Sequence, residues 1–202
     1  KSIIHSFEPI KKEFEMLRNK YNNDENIKIN NHAIGDEVGR KKFYITALTG
    51  TSSFNKVNKN TNWIKKRSIQ NNTSVEKYVK EIVEVNVNTL DQYCEINKIE
   101  KIDILKIDTQ GYEDKILAGS KSIFKKNIVN FVELEIMFDN VYEKYLTFSD
   151  IEKYLLPNQF RFSAIRTYNE NLFQGLVFFA DVMYINTKNI KINSNKDRKS
   201  TR

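Results

Sequence analysis

The stretch from Ile102 to Gly119 constrains the fold of this chain more than any other, because it combines a strand, a turn and a helix start. Its first part, 102–107, is short, largely apolar and β-branched, which is typical of a strand covered on both faces. Gly111 permits a tight turn, and Glu113 places negative charge in the first turn of a helix. Asp108 is therefore predicted at the carboxyl end of a central strand, where open α/β sheets bind ligands. The alternative is that Asp108 only caps the next helix.

Composition narrows the class of protein. The chain has 202 residues, 40% hydrophobic and 29% charged, which fits one domain with a sizeable core. No stretch reaches the roughly 20 apolar residues of a membrane span, and the start of the chain is too short for a signal peptide. The one cysteine, Cys94, suits a reducing compartment, so a cytoplasmic protein is expected. With only His5 and His32 beside it, no metal site is expected.

The net charge of +7 could serve an anionic partner such as nucleic acid. The lysines are scattered, however, and part of the excess lies in the polar tail, 188–202, so a solvated surface is favoured. The oligomeric state does not follow from the sequence.

The segment Asn55–Ser74 is rich in Asn, Lys and Thr and reads as a long, mobile surface segment. One interpretation is a basic lid over an acceptor, with Lys65, Lys66 and Arg67 as contacts. The other, which we favour, is an insertion with a local apolar cluster around Trp63.

The first part of the chain predicts a βαβ unit. Ser2–Phe7 reads as a strand, Pro9 suits the first helical turn, and Ile27–Ile34 reads as a second strand, which implies parallel pairing. Glu8 therefore ends a strand, as Asp108 does. A carboxylate there can accept hydrogen bonds from two ribose hydroxyls, or it can simply stabilise the helix N-terminus.

Further elements follow along the chain. Arg40–Leu48 is predicted to pair antiparallel with the strand before it, and capping boxes are predicted at Thr89–Gln92 and Ser149–Glu152. The remaining predicted strands are Glu81–Asn88, Asn127–Phe138 and a terminal hairpin of Phe160–Tyr168 and Leu176–Asn186, with its turn at Asn169 to Gln174. We expect one domain, 1–187, followed by the tail, 188–202.

Several of these pieces, in this order, resemble the FkbM family of S-adenosylmethionine-dependent methyltransferases. The most specific is Leu105-Lys-Ile-Asp-Thr-Gln-Gly-Tyr-Glu113, followed by Leu117-Ala-Gly119. The others are Phe7-Glu8-Pro9, Asn31-His-Ala-Ile-Gly-Asp36, Gly50-Thr-Ser-Ser53, Val87-Asn-Thr-Leu-Asp91, Val132-Glu-Leu-Glu135 and Ala180-Asp-Val-Met-Tyr184.

The resemblance implies a Rossmann-like class I methyltransferase fold: a mostly parallel sheet, helices on both faces and a C-terminal antiparallel hairpin. It implies S-adenosylmethionine as cofactor and methylation of a hydroxyl on a sugar, glycan or secondary metabolite. The implied cofactor-binding residues are Glu8 with Pro9 at the ribose, His32, Ala33 and Asp36 at the adenine, and Asp108 and Gln110 at the methyl-transfer centre. Many relatives have Glu where this chain has Gln110.

The resemblance also implies a strand and a glycine-rich turn that this sequence does not contain. That strand would lie between the strands Ile3–Phe7 and Ile102–Ile107, so the domain is expected to be N-terminally incomplete. If the sequence is instead complete, a non-enzymatic remnant without its cofactor loop is the alternative.

Three acids are candidates for the base that a hydroxyl acceptor needs: Asp108, Glu135 and Asp181, each at or within a predicted strand. Glu133 and Glu135 are predicted to face the same side of their strand, and one of them could be solvated. The rival class is a nucleic-acid methyltransferase or a basic nucleic-acid-binding module, although no stacking motif with interleaved basic residues supports it.

Overall fold

A computed structural model describes residues 2–168 and 177–189, which form an α/β arrangement. Its strands are β1 (Ile4–Phe7), β2 (Ile27–Asn30), β3 (Ala33–Ile34), β4 (Gly39–Thr46), β5 (Val79–Asn88), β6 (Ile102–Ile107), β7 (Val129–Met137), β8 (Phe160–Tyr168) and β9 (Phe179–Asn186). Its α-helices are α1 (Lys11–Lys20), α2 (Asn62–Gln70), α3 (Leu90–Ile96), α4 (Glu113–Ala118), α5 (Lys121–Lys125) and α6 (Phe148–Leu155). None of the helices in this described part is long and apolar enough to cross a membrane.

The strands form three sheets, in the orders β1-β2, β3-β5-β4 and β6-β7-β9-β8. The pairs β1/β2, β3/β5 and β6/β7 are parallel, whereas β4/β5, β7/β9 and β8/β9 are antiparallel. The described residues thus form mixed sheets and not the single, mostly parallel sheet that was expected. The predicted antiparallel pairing of β8 and β9 is confirmed, while the predicted turn, Asn169 to Gln174, and the tail from 190 lie outside the described residues.

The predicted βαβ unit is confirmed by the parallel pair β1 and β2 around α1, although Pro9 lies just before the helix and not in its first turn. The strand predicted at Ile27–Ile34 is divided. Asn31 interrupts it, because its side chain amide donates to the backbone carbonyls of Glu8 and Pro9. The residues after Asn31 join β5 in a different sheet, and β4 also pairs with β5, so the predicted pairing of β4 with its preceding strand was wrong.

The β6–β9 sheet is covered by helices on one face. Inward-facing residues such as Val132 and Leu134 share the main apolar cluster with buried residues of α4, α5 and α6. On the other face Ile104 is 63% exposed. The prediction that the strand at 102–107 is covered on both faces was therefore wrong for the described residues. Among these residues β6 is also an edge strand, with β7 as its one partner, and not the central strand that was predicted.

The predicted mobile segment, 55–74, is instead largely ordered around α2. Trp63 is 3% exposed, and Ile64 is fully buried with Tyr78 and Tyr142 in a second apolar cluster. The side chain of Thr61 caps the helix by accepting from the backbone N–H of Ile64 at 3.3 Å. The interpretation of a local cluster around Trp63 is confirmed; the periodicity of only two or three apolar residues was too weak to show the helix.

Both predicted caps concern real helix starts, but one is displaced. Thr89 accepts from the backbone N–H of Gln92 at 3.1 Å, as predicted for α3. At α6 the reciprocal capping pair is Thr147 with Asp150, two residues earlier than the predicted Ser149–Glu152 pair. The earlier start places Phe148 and Ile151 on the buried side of the helix.

Gly119 and Gly35 hold the end of α4 against the turn that follows β3. A Cβ atom at Gly119 would collide with the carbonyl oxygen of Gly35 and would also lie 3.3 Å from Cβ of Thr89. The obstacle is backbone, which cannot move aside as a flexible side chain can. This contact fixes how closely the β3–β5 sheet approaches the helix that follows β6.

We predict that Gly119→Ala lowers the free energy of unfolding by about 1–3 kcal/mol, because the overpacked methyl group forces the two backbones apart. Gly39→Ala is the matched control, since a Cβ atom there meets nothing within 4 Å, and it should change stability by no more than about 0.5 kcal/mol. Urea unfolding followed by circular dichroism measures both. Equal stability of the two variants would contradict the prediction.

Candidate functional site

The turn after β6 is the structural basis of the candidate site. Asp108 follows the last residue of β6, as predicted, and the chain then reverses through Gln110 at φ +59° and Gly111 at φ +87°. These are left-handed conformations, which glycine adopts readily and glutamine only at a cost. Gly111 is also closely packed, because an added Cβ would lie 3.1 Å from the Asn55 amide nitrogen and 3.4 Å from the Tyr142 ring.

The side chain amide of Gln110 joins two predicted site acids. Its Nε2 donates to Oδ1 of Asp108 at 3.1 Å and to Oε1 of Glu135 at 3.0 Å. Its Oε1 accepts from the hydroxyl of Tyr142 at 3.2 Å. Both amide protons and the carbonyl oxygen are thus used, so the neutral residue at position 110 bridges two carboxylates through hydrogen bonds.

Glu135 is a half-buried acid with a raised pKa. Burial, followed by the nearby carboxylates of Asp108 and Glu113, raises the pKa of Glu135 to about 7, against the lowering effect of the hydrogen bond from Gln110. A carboxylate with this pKa exchanges protons near neutral pH, as a general base must.

Asp181 lies directly opposite Glu135 in the register of β7 and β9. Its Oδ2 accepts from the hydroxyl of Tyr168 at 2.9 Å. Glu133 faces the same side of β7 as Glu135, as predicted, and pairs with Lys106 at 3.1 Å on the partly exposed sheet face. The structure therefore brings the three predicted acids to one end of the β6–β7–β9 group. Gln110 joins Asp108 and Glu135 there, whereas Asp181 bonds to Tyr168 and Glu133 pairs with Lys106.

Glu113 belongs to this site but was predicted only as a charge at a helix start. It is 2% exposed, and its Oε1 accepts from Thr109 through both the backbone N–H, at 2.9 Å, and the hydroxyl, at 3.2 Å. It also accepts from the N–H of Gly111 at 3.3 Å. Burial outweighs these hydrogen bonds and raises the pKa of Glu113 to about 7. Its place just after a glycine turn was the one signal that could have indicated an acceptor for the turn's N–H groups.

A cleft adjoins this group of acids. Glu113 and Glu135 contribute polar walls, and Tyr145 lies at an exposed position. The other lining residues are Gly111, Ile136, Met137, Tyr142 and Leu146. A separate surface depression, lined by Asn72, Thr73, Ser74 and Lys77, shares no residue with it. The cleft is thus mostly apolar and aromatic, with two titratable carboxyl groups.

Glu8 lies at the end of β1, as predicted. Its Oε1 accepts from the backbone N–H of Ile10 at 2.7 Å, next to the start of α1, while Oε2 makes no hydrogen bond within the described residues. Burial raises the pKa of Glu8. One oxygen therefore stabilises the helix entrance, and the other remains available for a ligand, so both interpretations of this residue fit.

The residues predicted around adenine fall into two environments. His32 packs on Phe7 at 5.4 Å between ring centroids, and its Nε2 is buried without a hydrogen-bond partner in the described residues. Burial lowers the pKa of His32, which favours the neutral ring. Ala33 is buried beside Val87 in the core of the β3–β5–β4 sheet.

Asp36 is held by two lysines. Its carboxylate lies 2.7 Å from Nζ of Lys41 and 2.9 Å from Nζ of Lys115, and Lys41 also donates to the hydroxyl of Tyr112 at 3.1 Å. Burial alone would raise the pKa of Asp36, but the hydrogen bonds from both lysines outweigh it and lower the pKa to about 2. Asp36 therefore connects the turn after β3 with the start of α4.

No hydrogen bond or ring contact in residues 2–168 and 177–189 joins the Glu8–His32 group directly to the Asp108–Glu135 group. Within the same residues no cluster of His, Cys, Asp and Glu has an arrangement suited to a metal ion. The predicted roles of all these residues stay predictions.

The raised pKa of Glu135 gives a stability prediction. Because the folded pKa of about 7 lies above the ordinary 4.5, the contribution is complete below pH 4.5 and is lost as the pH rises through 7. Between pH 4.5 and 8 the free energy of unfolding of the wild type should therefore fall by about 2 kcal/mol more than that of Glu135→Gln, after allowance for solvent screening. Glu133→Gln, two residues away, should keep the wild-type slope. Urea unfolding at each pH tests this; identical slopes for all three proteins would refute it.

The bridging role of Gln110 gives a second prediction. Gln110→Glu replaces the donating amide by a carboxylate facing Asp108 and Glu135, which raises the pKa of the new group. The variant should be less stable than the wild type by about 1–3 kcal/mol at pH 8, and the difference should shrink as the pH falls towards 4.5. Thermal unfolding at both pH values measures the difference. A deficit that does not change with pH would show that charge repulsion is not its cause.

Comparison with known proteins gives a family. The profile of the methyltransferase FkbM domain matches residues 1–162. Among solved structures, the crystal structure of methyltransferase FkbM from Methylobacillus flagellatus KT matches at 14% identity with a TM-score of 0.48, covering 91% of this chain and 36% of that one. The chain thus spans about a third of that protein's length. No curated protein matches. The match over residues 1–162 places this chain in the FkbM methyltransferase domain family.

Proposed function

We propose that this domain transfers the methyl group of S-adenosylmethionine to a hydroxyl oxygen of a sugar, a glycan or a secondary metabolite. The observation that carries the proposal is the Glu135 carboxyl group: its pKa of about 7 suits a base for a hydroxyl, and Gln110 connects it to Asp108 at the strand end. Methyltransferase membership supplies the reaction type.

The residues near β1 fit an adenosyl group. Glu8 has an oxygen without a partner that can accept from ribose hydroxyls, and His32 has a buried Nε2 without a partner that can bond a polar ring edge. Of these two atoms only His32 Nε2 is buried without a partner among the described residues, and an unmet buried polar group is costly. In this proposal Pro9 and Ala33 line the same site, while Asp36 acts through its two lysines. A Rossmann-like arrangement of the strands is part of the proposal.

The chain's own residues prepare the acceptor. When bound, S-adenosylmethionine supplies an electrophilic methyl group, so the protein mainly orients the hydroxyl and keeps water away. The cleft beside Glu135 has about 10 Å³ of space, room for about one water molecule, so its apolar and aromatic walls act by shielding the carboxyl group from solvent. Glu135 accepts the hydroxyl proton as the oxygen attacks, and Asp108 holds the Gln110 amide that orients Glu135. Asp181, opposite Glu135 in the register, is the second candidate for the base.

Two strand edges bear on the completeness of the donor site. Among the described residues β1 pairs with β2 alone and β6 with β7 alone, and Ile4 and Ile104 are 57% and 63% exposed on these strands. Open edges with exposed apolar residues are normally covered. We propose that a further parallel strand lies between β1 and β6 in the active enzyme. Donor binding by the chain 1–202 and by the product of the full gene distinguishes a completed site from an incomplete one.

The test of the function has two stages. Calorimetry with S-adenosylmethionine measures donor binding, and transfer of a carbon-13 methyl group to a panel of sugars and polyols, read by NMR, identifies a methylated oxygen. Absence of donor binding by the complete gene product would refute the enzyme and favour the non-enzymatic remnant. A salt-dependent mobility shift with RNA or DNA, together with label on a base, would favour the nucleic-acid alternative.

We predict that Glu8→Gln weakens binding of S-adenosylmethionine by about 10- to 100-fold, because a charged acceptor for hydroxyl groups becomes neutral. Glu15→Gln on the exposed side of α1 changes the same chemical group and should bind as the wild type does. Calorimetry gives both affinities, and circular dichroism verifies the fold of each variant. If Glu8→Gln binds the donor as tightly as Glu15→Gln does, Glu8 does not hold the ribose.

A further inference from the structure

Two side chains of the segment after β4 donate hydrogen bonds to the backbone of the turn at Gln110 and Gly111. The hydroxyl of Ser53 donates to the backbone carbonyl of Gln110 at 2.8 Å. The amide nitrogen of Asn55 donates to the carbonyl of the next residue, Gly111, at 2.6 Å. Two successive carbonyls of the turn are therefore bound by residues more than fifty positions earlier in the chain.

The two carbonyls belong to the two residues of this turn that have left-handed backbone conformations. Gln110 at φ +59° is a non-glycine residue in a region that favours glycine, so it persists only where its surroundings hold it. The carbonyl of such a residue points in a direction that an ordinary turn would not give it. Hydrogen bonds to both carbonyls oppose relaxation of the turn.

The segment that contains Ser53 and Asn55 is itself held in place by further contacts. Ser53 is 1% exposed, and its backbone pairs with Tyr44 of β4 through bonds of 2.9 and 3.2 Å. Its hydroxyl oxygen also accepts from the backbone N–H of Asn55 at 3.0 Å. Tyr142 provides a third link to the same segment: its hydroxyl lies 2.9 Å from the carbonyl oxygen of Thr51 and 3.2 Å from Oε1 of Gln110, and the two oxygens share its one proton. The segment is thus a fixed platform under the turn.

We propose that Ser53 and Asn55 are positioning residues for the methyl transfer: they hold the backbone of Gln110 and Gly111 so that the Gln110 amide reaches both Asp108 and Glu135. The inference rests on the function proposed above. It assigns a role to the hydroxyl-bearing loop at 50–53, which would otherwise be only a connection between β4 and α2.

The consequence for Glu135 can be measured without turnover. The hydrogen bond from Gln110 stabilises the ionised carboxylate and so lowers its pKa. If the turn relaxes, the Gln110 amide no longer reaches Glu135, and its lowering effect on the pKa of Glu135 is lost. A purely structural role of Ser53 would reduce stability without changing how Glu135 titrates.

The experiment compares Ser53→Ala with Ser52→Ala in the whole chain. Ser52 is the adjacent buried serine, but its hydroxyl accepts from the N–H of Thr46 in β4 and does not touch the turn. Carbon-13 NMR of the carboxyl groups follows the titration of Glu135. We expect Ser53→Ala to raise the pKa of Glu135 by about half a pH unit or more, and Ser52→Ala to leave it at the wild-type value.

A second pair keeps the test decisive if Ser53→Ala does not fold. Asn55→Ala removes the donor to Gly111 at a half-buried position, and Asn58→Ala, in the same segment, removes only an acceptor for the N–H of Asn60. The first should shift the titration of Glu135 in the same direction, and the second should not.

Two outcomes overturn the positioning role: an unchanged Glu135 titration in the folded Ser53 or Asn55 variant, or an equal shift in its control. Calorimetry with S-adenosylmethionine, run in parallel, should give donor affinities within about twofold of the wild type for all four variants, because none of these residues is in the donor site. Absence of donor binding by the complete gene product would refute the proposed function instead, and the titration would still report on the hydrogen bonds from Ser53 and Asn55.

Discussion

The Gln110 amide is the interaction on which the candidate site depends. Asp108 ends β6 and Glu135 lies in β7, so their carboxylates would repel each other if both were charged and nothing lay between them. The amide places one N–H on each acid and leaves its oxygen to Tyr142. A glutamate at this position could not donate to both, so the glutamine of this chain changes the chemistry of the site and not merely its charge.

The orientation of the Gln110 side chain amide depends on residues far from it in the sequence. The turn at Gln110 is bound from inside by Glu113, which accepts from its N–H groups, and from outside by Ser53, which donates to its carbonyl. A buried carboxyl on one side and a buried hydroxyl on the other satisfy the polar groups that a left-handed turn exposes. The stretch from Ile102 to Gly119, taken alone, contains only half of this arrangement.

This division explains what the sequence could predict. Most strand and helix positions, the strand-end acids Glu8 and Asp108, and the shared side of Glu133 and Glu135 follow from local periodicity, whereas helix α2 does not. The grouping of the strands into three sheets does not follow from local periodicity, because strands far apart in the sequence pair with each other. β3 and β4 both pair with β5, which lies much later in the chain.

The ion pairs and the buried acids could not be predicted from local sequence patterns either. The lysine partners of Asp36 lie five and 79 positions away, so its surroundings could not be derived from neighbouring residues. Glu113 lines a cleft together with Glu135 of β7 and Tyr142 of the loop after β7, so its burial depends on residues that are distant in the sequence.

The ion pair between Asp36 and Lys115 helps to keep the two halves of the proposed site in register. Glu8 and His32 belong to the β1 side, whereas Asp108 and Glu135 belong to the β6–β9 sheet. Transfer of a methyl group requires donor and acceptor to be aligned within about 3 Å, and small displacements are costly.

The connection runs through α4. Lys115 on this helix binds Asp36, and Gly119 at its end packs on the backbone of Gly35, while Glu113 at its start holds the site turn. One short helix therefore touches the turn after β3 at one end and the turn after β6 at the other. The spacing between α4 and the turn after β3 is set mainly by the backbone contact of Gly119 with Gly35, and one ion pair, Lys115 with Asp36, supports it. A backbone contact deforms less than a contact between long side chains would.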